Sequence, residues 1–184
     1  MTLHADAFAS LAAWQPSDPR QDELRVEFLD LLRHRSDALD RSCAPAHLTA
    51  STLVLEAGTG RVLLVLHRKI GRWIQPGGHA EVTDATLAGA ALREATEESG
   101  ITGLTMEPWI LHLDRHPAPC RPGVVEEHFD VRYAVVAPAA AEPIVSGESL
   151  DVRWFDREAL PDGIEQTILA MIGAAHRRRS AQRP

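Results

Sequence analysis

Three glutamates, Glu94, Glu97 and Glu98, crowd one stretch of the segment GGHAEVTDATLAGAALREATEESGI. The spacing predicts a helix, and at about 100° per residue with Glu94 at zero, Glu98 falls near 40° and Glu97 near 300°. The three carboxylates therefore share an arc of about 100°. Ala88, Leu92, Ala95 and Ser99, between about 100° and 160°, form a stripe of small and apolar residues suited to a sheet. Two unit charges ~5 Å apart repel by roughly 3 kcal/mol at an effective dielectric of ~20. Arg93, one turn from Glu97, offsets only part of this. A divalent cation removes the rest, because magnesium and manganese prefer hard carboxylate oxygens. The bland alternative is a solvated acidic face near a helix end. Gly77-Gly78 just upstream favours the ion, since glycines let backbone approach a metal or a phosphate closely.

Other side chains carry weaker signals. His112, Asp114 and His116 alternate along one expected strand, and His128, Asp130 and Arg132 along another. Pairing the two strands would collect titratable groups on one sheet face. That face reads as a substrate pocket in which Arg132 and His112 meet phosphate or sugar, as a transition-metal site, or as a plain solvent-facing surface. His67, Arg68, Lys69 and Arg72 flank a turn and suit either a terminal phosphate or bulk water. His79 follows the glycine pair directly, which places it towards a substrate. Trp73, Trp109 and Trp154 could stack a base, though with nine aromatics in the chain core packing is the expected use of any one of them. Cys43 and Cys120 have no metal-ligand spacing and make no disulfide framework.

The elements that must position these residues can be read along the chain. The 184 residues suit one domain with a small extension. Asp18-Pro19 marks a helix start, and Leu24, Phe28, Leu31 and Leu32 form its apolar stripe. A shorter helix with Phe8, Leu11 and Ala12 precedes it and stops at Pro16. This helical extension, residues 1–45, is too small for its own core, so it either covers the sheet or forms a homodimer contact. From 46 to 184 the pattern is α/β. LTASTLVLE and RVLLVLH read as strands joined by a tight turn, and IQPGGHAEVTDAT as a loop. The carboxylate helix runs from about Thr86 to Ser99, with Gly100 as its left-handed stop. Strands follow at about Leu104 to Leu113, Glu126 to Val136 and DVRWF. The last helix covers about Ile164 to His176, and its basic end, His176 to Arg179, reads as a solvated terminus beside the helix's negative pole.

Composition narrows the partners. A hydrophobic content of 45% with 24% charged residues is that of an ordinary globular chain. The net charge of -7 argues against nucleic-acid binding across the whole surface. No uncharged apolar run reaches the ~18 residues of a membrane span, and the first residues lack a secretory pattern. The expected location is a reducing cytoplasm.

The segment from Gly78 to Ile101, with Arg93, Glu94, Ala95, Glu97, Glu98 and Gly100, resembles the Nudix box of Nudix hydrolases. REATEESGI agrees with the second half of that signature at every fixed position. In the first half Asp84 stands for the family's glutamate, and eight residues rather than seven separate it from Arg93. This leaves open whether Asp84 pairs with Arg93 and where the helix begins. Domain-level resemblance extends from Thr49 to about Ala175 and implies an α/β/α sandwich with a mixed sheet. The resemblance further implies a metal-dependent hydrolase that cleaves a diphosphate linkage in a nucleoside diphosphate derivative, by water attack on phosphorus. By similarity, Glu94, Glu97 and Glu98, with the backbone carbonyl of Gly77, would hold Mg2+ or Mn2+. Arg93 would orient a neighbouring carboxylate. The proton acceptor would be Glu94 or Glu148, the latter on the loop before DVRWF, where it could instead be an exposed glutamate or an extra ligand.

Two other functions suit the same resemblance. One is a catalytically silent domain that binds a nucleotide as a sensor; three mutually repelling carboxylates argue against it. The other is a diphosphate isomerase, for which Cys120 would be the nucleophile. The substrate, a small nucleotide-type molecule in each case, is not encoded in any motif outside the box.

Overall fold

The structure, a computed structural model, describes residues 1–121 and 124–181, with side chains described up to residue 118 and from 127 to 178. Two helices lead the chain, α1 (Leu3–Ala13) and α2 (Pro19–His34). The strands are β1 (Ala46–Glu56), β2 (Val62–His67), β3 (Trp73–Ile74), β4 (Gly77–Gly78), β5 (Thr105–Arg121), β6 (Val124–Ala137) and β7 (Ser149–Phe155). Helix α3 (Leu87–Ser99) stands between β4 and β5, and α4 (Gln166–Ala181) closes the chain.

The sheet is mixed and runs β3-β2-β1-β6-β5, with β7 pairing β2 and β4 pairing β1. Its centre is the parallel pair β1 and β6, in register from Ala46 beside Glu127 to Glu56 beside Ala137. Pleat alternation then sorts the side chains. Leu48 and Ala50 face α1, α2 and α3 together with Phe129, Val131 and Tyr133. Leu53 and Leu55 face α4 and its Ile168, Met171 and Ala175. Helices on both faces of one sheet make an α/β/α sandwich. Helices α1 and α2 contribute Ala7, Leu11, Phe28 and Leu32 to the larger core, so they cover the sheet.

Local chemistry sets the helix ends as expected. Asp18 accepts the Arg20 N–H at 2.9 Å, with Pro19 in the first turn. Thr86 accepts the Gly89 N–H at 3.0 Å, and Gly100 ends α3 at φ 66°. Asp6, buried on α1, also accepts the Leu87 N–H at 2.9 Å, tying the N-terminal extension to the start of α3. Gln21 of α2 both donates to and accepts from the backbone of Leu113, supplying the bonds that edge strand β5 lacks.

Several boundaries differ from the sequence reading. Strand β5 continues well past Leu113 to Arg121 and β6 starts at Val124, one long antiparallel ribbon in place of two short strands. Within the expected loop, Gly77 and Gly78 pair as a short strand with Ser51 and Ala50. The buried side of α3 is Leu87, Ala90, Ala91, Ala95, Glu98 and Ser99. It is wider than the Ala88 and Leu92 stripe and includes a glutamate. At the basic end of α4, Arg178 lies over the Trp109 ring at 5.1 Å.

Candidate active site

Helix α3 presents its glutamates towards the Gly77-Gly78 strand. Glu98 is only 5% exposed, and one carboxylate oxygen accepts the Gly77 N–H at 3.0 Å. Among the described residues it has no cationic partner. Burial pushes its pKa up to about 7, against the opposing effect of the Gly77 bond and with the added repulsion of Glu94, Glu148 and Glu97. Burial likewise raises Glu94, although Arg93 pulls the other way. Glu97 has a side chain 58% exposed. Glu98 and Glu94 thus face the glycine strand, while Glu97 lies outward against Arg93.

Contact with the β1 backbone dictates Gly77, and Gly78 lies against the Glu94 carboxylate. A Cβ on Gly77 would lie 2.2 Å from the Ser51 Cβ, and one on Gly78 would lie 2.7 Å from Glu94 Oε1. The second of these is a cradle that any side chain would fill. It leaves carboxylate and backbone facing one another, as a hard cation requires.

Arg93 holds this cluster together. Its Nε and Nη2 donate to the two Asp84 oxygens at 3.2 and 3.0 Å. Its Nη1 reaches Glu94 and Glu97 at 3.1 and 3.0 Å. Nη2 also donates to the His79 carbonyl at 2.9 Å. The pairing left open by the altered first half of the box therefore forms. The extra residue is absorbed in the bend before α3, where Asp84 also accepts the Glu81 N–H at 2.7 Å.

Glu148 belongs electrostatically to the same group, since its charge raises both Glu94 and Glu98. The other expected contacts are placed elsewhere. Arg72 is ion-paired with Glu165 at 3.3 Å. His112 sits against Gln21 of α2, Nε2 to Nε2 at 3.2 Å. Arg132, 1% exposed at its side chain, gives Nε to Asp130 at 2.7 Å and Nη2 to Asp114 at 2.8 Å. Thr49 and Ser51 complete Asp130 with bonds of 3.1 and 2.7 Å. The β5 and β6 residues do pair as alternation suggested, with His112 opposite Arg132, Asp114 opposite Asp130 and His116 opposite His128. The Cys120 side chain lies outside the described residues.

A second cluster was missed in the sequence. His47, buried on β1, brings Nε2 to 3.0 Å from His79 Nε2, and His128 stacks beside both. Starting β1 at Leu48 hid His47; extending the alternation of Ser51 and Thr49 back two residues would have found it.

Chain-wide comparison fixes the lineage. The model of the NUDIX domain matches residues 45–172. The chain belongs to the Nudix family. Nudix hydrolases cleave nucleoside diphosphate derivatives and generally use divalent metal ions, and as a member this chain is a pyrophosphohydrolase. Its fold is similar to that of an Ap4A hydrolase from C. elegans, seen as a binary complex (18% identity, 73% of this chain and 98% of the other, TM-score 0.60). A NUDIX-family hydrolase from Clostridium perfringens is similar at 23% identity over 72% of this chain and 97% of its own (TM-score 0.55). A UDP-X diphosphatase is similar over 96% of this chain and 91% of its own, at 17% identity and a TM-score of 0.54. No curated protein matches the sequence. No helix among the described residues is long and apolar enough to cross a membrane.

Proposed function

We propose that this Nudix hydrolase is a divalent-metal-dependent enzyme that cleaves the diphosphate linkage of a small nucleoside diphosphate derivative. Glu94, Glu97 and Glu98, with the Gly77 carbonyl, would hold Mg2+ or Mn2+. The supporting observation is Glu98: a buried carboxylate with no cationic partner among the described residues, its pKa pushed up to about 7. An isolated buried anion is costly, and a bound cation is what makes it useful. When bound, such an ion neutralises the diphosphate and acidifies a coordinated water.

The chain's own groups do the rest. Arg93 keeps Glu94 and Glu97 in ligating orientation, itself fixed by Asp84. The Gly77 N–H orients Glu98. Glu94 is occupied by Arg93, so Glu148 is the residue assigned to accept the proton of the attacking water. On the substrate side, Arg72, exposed and paired with Glu165 at 3.3 Å, is the phosphate contact of this reading and would exchange that carboxylate for the phosphate. His79, His112 and Arg132 are likewise held by protein partners, His47, Gln21 and Asp130.

The test is product release from a panel of dinucleoside polyphosphates, nucleoside diphosphate sugars and nucleoside triphosphates, with and without magnesium. Magnesium-dependent cleavage of at least one class supports the reading. Tight nucleotide binding without turnover would instead favour the sensor function.

A further inference from the structure

We infer that His47, His79 and His128 form a transition-metal site of the zinc type, separate from the carboxylate cluster. One nitrogen from each ring lies within 4.8 Å of the other two. The ring centroids are 5.0 Å apart for His47 and His79, 4.9 Å for His47 and His128, and 5.1 Å for His79 and His128. Three imidazoles around zinc, with Zn–N bonds of ~2.05 Å, place their nitrogens about 3.3 Å apart. His47 and His79 stand at 3.0 Å, and the ligand atom of His128 lies within 4.8 Å of both.

The tautomer of His47 is set for this role. Its Nδ1 lies 3.1 Å from the Cys43 carbonyl, an acceptor only, so Nδ1 carries the proton. Nε2 therefore turns its lone pair to the cluster, where it accepts from His79 Nε2 at 3.0 Å, and a cation would take the place of that proton. A ligating histidine usually has this arrangement, its far nitrogen donating to a carbonyl or carboxylate. His116 repeats it one layer out, with Nδ1 at 2.8 Å from Asp114 Oδ2 and its ring 5.5 Å from His128.

The fold builds the site without a metal-binding motif. His47 and His128 are register partners across the parallel pair β1 and β6. His79 follows Gly78, which pairs with Ala50 on β1. The sequence separations, far from any loop-closing spacing, conceal a neighbourhood created by strand order. Soft and borderline metals favour imidazole, whereas magnesium favours oxygen, so the two clusters select different ions. His47 is buried while His79 and His128 are partly exposed, so the cluster lies at the edge of the core. An ion there would tie the Gly77 to His79 segment to β1 and β6, and would hold the N–H that Glu98 accepts.

Cobalt(II), titrated into the full chain as the spectroscopic stand-in for zinc, tests this. The expected result is one equivalent bound with the strong visible absorption of a four-coordinate, nitrogen-ligated centre. His79→Ala and His128→Gln should each weaken cobalt and zinc binding by at least about tenfold, the scale on which even outer-shell partners act. Glu97→Gln with Glu98→Gln should leave the absorption in place, which separates this site from the proposed magnesium site. Excess magnesium should not displace it, an arm that needs no variant. The inference is overturned by the absence of four-coordinate absorption in the wild-type chain, by its survival in both histidine variants, or by its loss in the glutamate variant or under magnesium.

Discussion

The Gly77 N–H points at the carboxylate of Glu98 across 3.0 Å, joining a two-residue strand to the buried face of α3. Among the described residues, that bond is the compensation given to an anion that burial disfavours. Glu98→Gln should therefore separate function from stability. Turnover is expected to fall by at least about 100-fold, the cost of removing one preorganised electrostatic group. Thermal and urea denaturation should show a protein as stable as wild type or about 1–2 kcal/mol more so, since the desolvated charge is gone. Gly78→Ala should lower turnover too, because its Cβ would displace the Glu94 carboxylate.

Arg93 is expected to resist conservative replacement. Lysine keeps the charge but not the planar fork that spans Asp84, Glu94 and Glu97. Arg93→Lys should reduce kcat by about 10- to 100-fold. Asp84→Asn should reproduce part of that loss, and a double-mutant cycle in denaturation should return a coupling of about 0.5–3 kcal/mol. Additive effects would mean that Asp84 does not act through Arg93.

Much of this was legible in the chain. REATEESGI states the helix, its stop at Gly100 and the three carboxylates, because helical periodicity and charge repulsion are both local. The long β5 and β6 ribbon was not, since prolines such as Pro117 lack a ladder donor, and the strand tolerates them because it sits at a sheet edge, where a missing N–H costs little. Nor was the link from Asp6 to Leu87, as no spacing rule joins residues on separate helices. His47, His79 and His128 escaped for the same reason: strand order, not sequence distance, makes them neighbours. Burial of Glu98 within the apolar face of α3 ran against the hydrophobic pattern, as functional sites commonly do.

Acid should act on stability through Glu56. This buried carboxylate accepts from Arg61 Nε and Nη2 at 2.9 Å each, from Thr59 and from the Ala140 N–H. The Arg61 hydrogen bonds, first among these contacts, lower its pKa from 4.5 to about 2. A carboxylate depressed in the folded state stabilises fully above its ordinary pKa, and that contribution fades as pH falls towards 2. Glu56→Gln should consequently destabilise by about 2 kcal/mol at neutral pH. Denaturation measured down the pH scale should show the gap to wild type closing below about 4.5. A gap independent of pH would contradict the assignment.

Arg132 is expected to be structural. Truncation by Arg132→Ala strands Asp130 and Asp114 without their shared cation. Breaking one side of a buried pair costs about 3–5 kcal/mol. Urea midpoints check this, and a loss below about 1 kcal/mol would show that water reaches the carboxylates.

Manganese uptake by the 184-residue chain, followed by electron paramagnetic resonance, tests the central claim most directly. Wild type should remove the free-ion signal as protein is added, and Glu97→Gln with Glu98→Gln should leave it in solution. Equal uptake by both proteins, or none by wild type, would contradict a metal centre built on these glutamates.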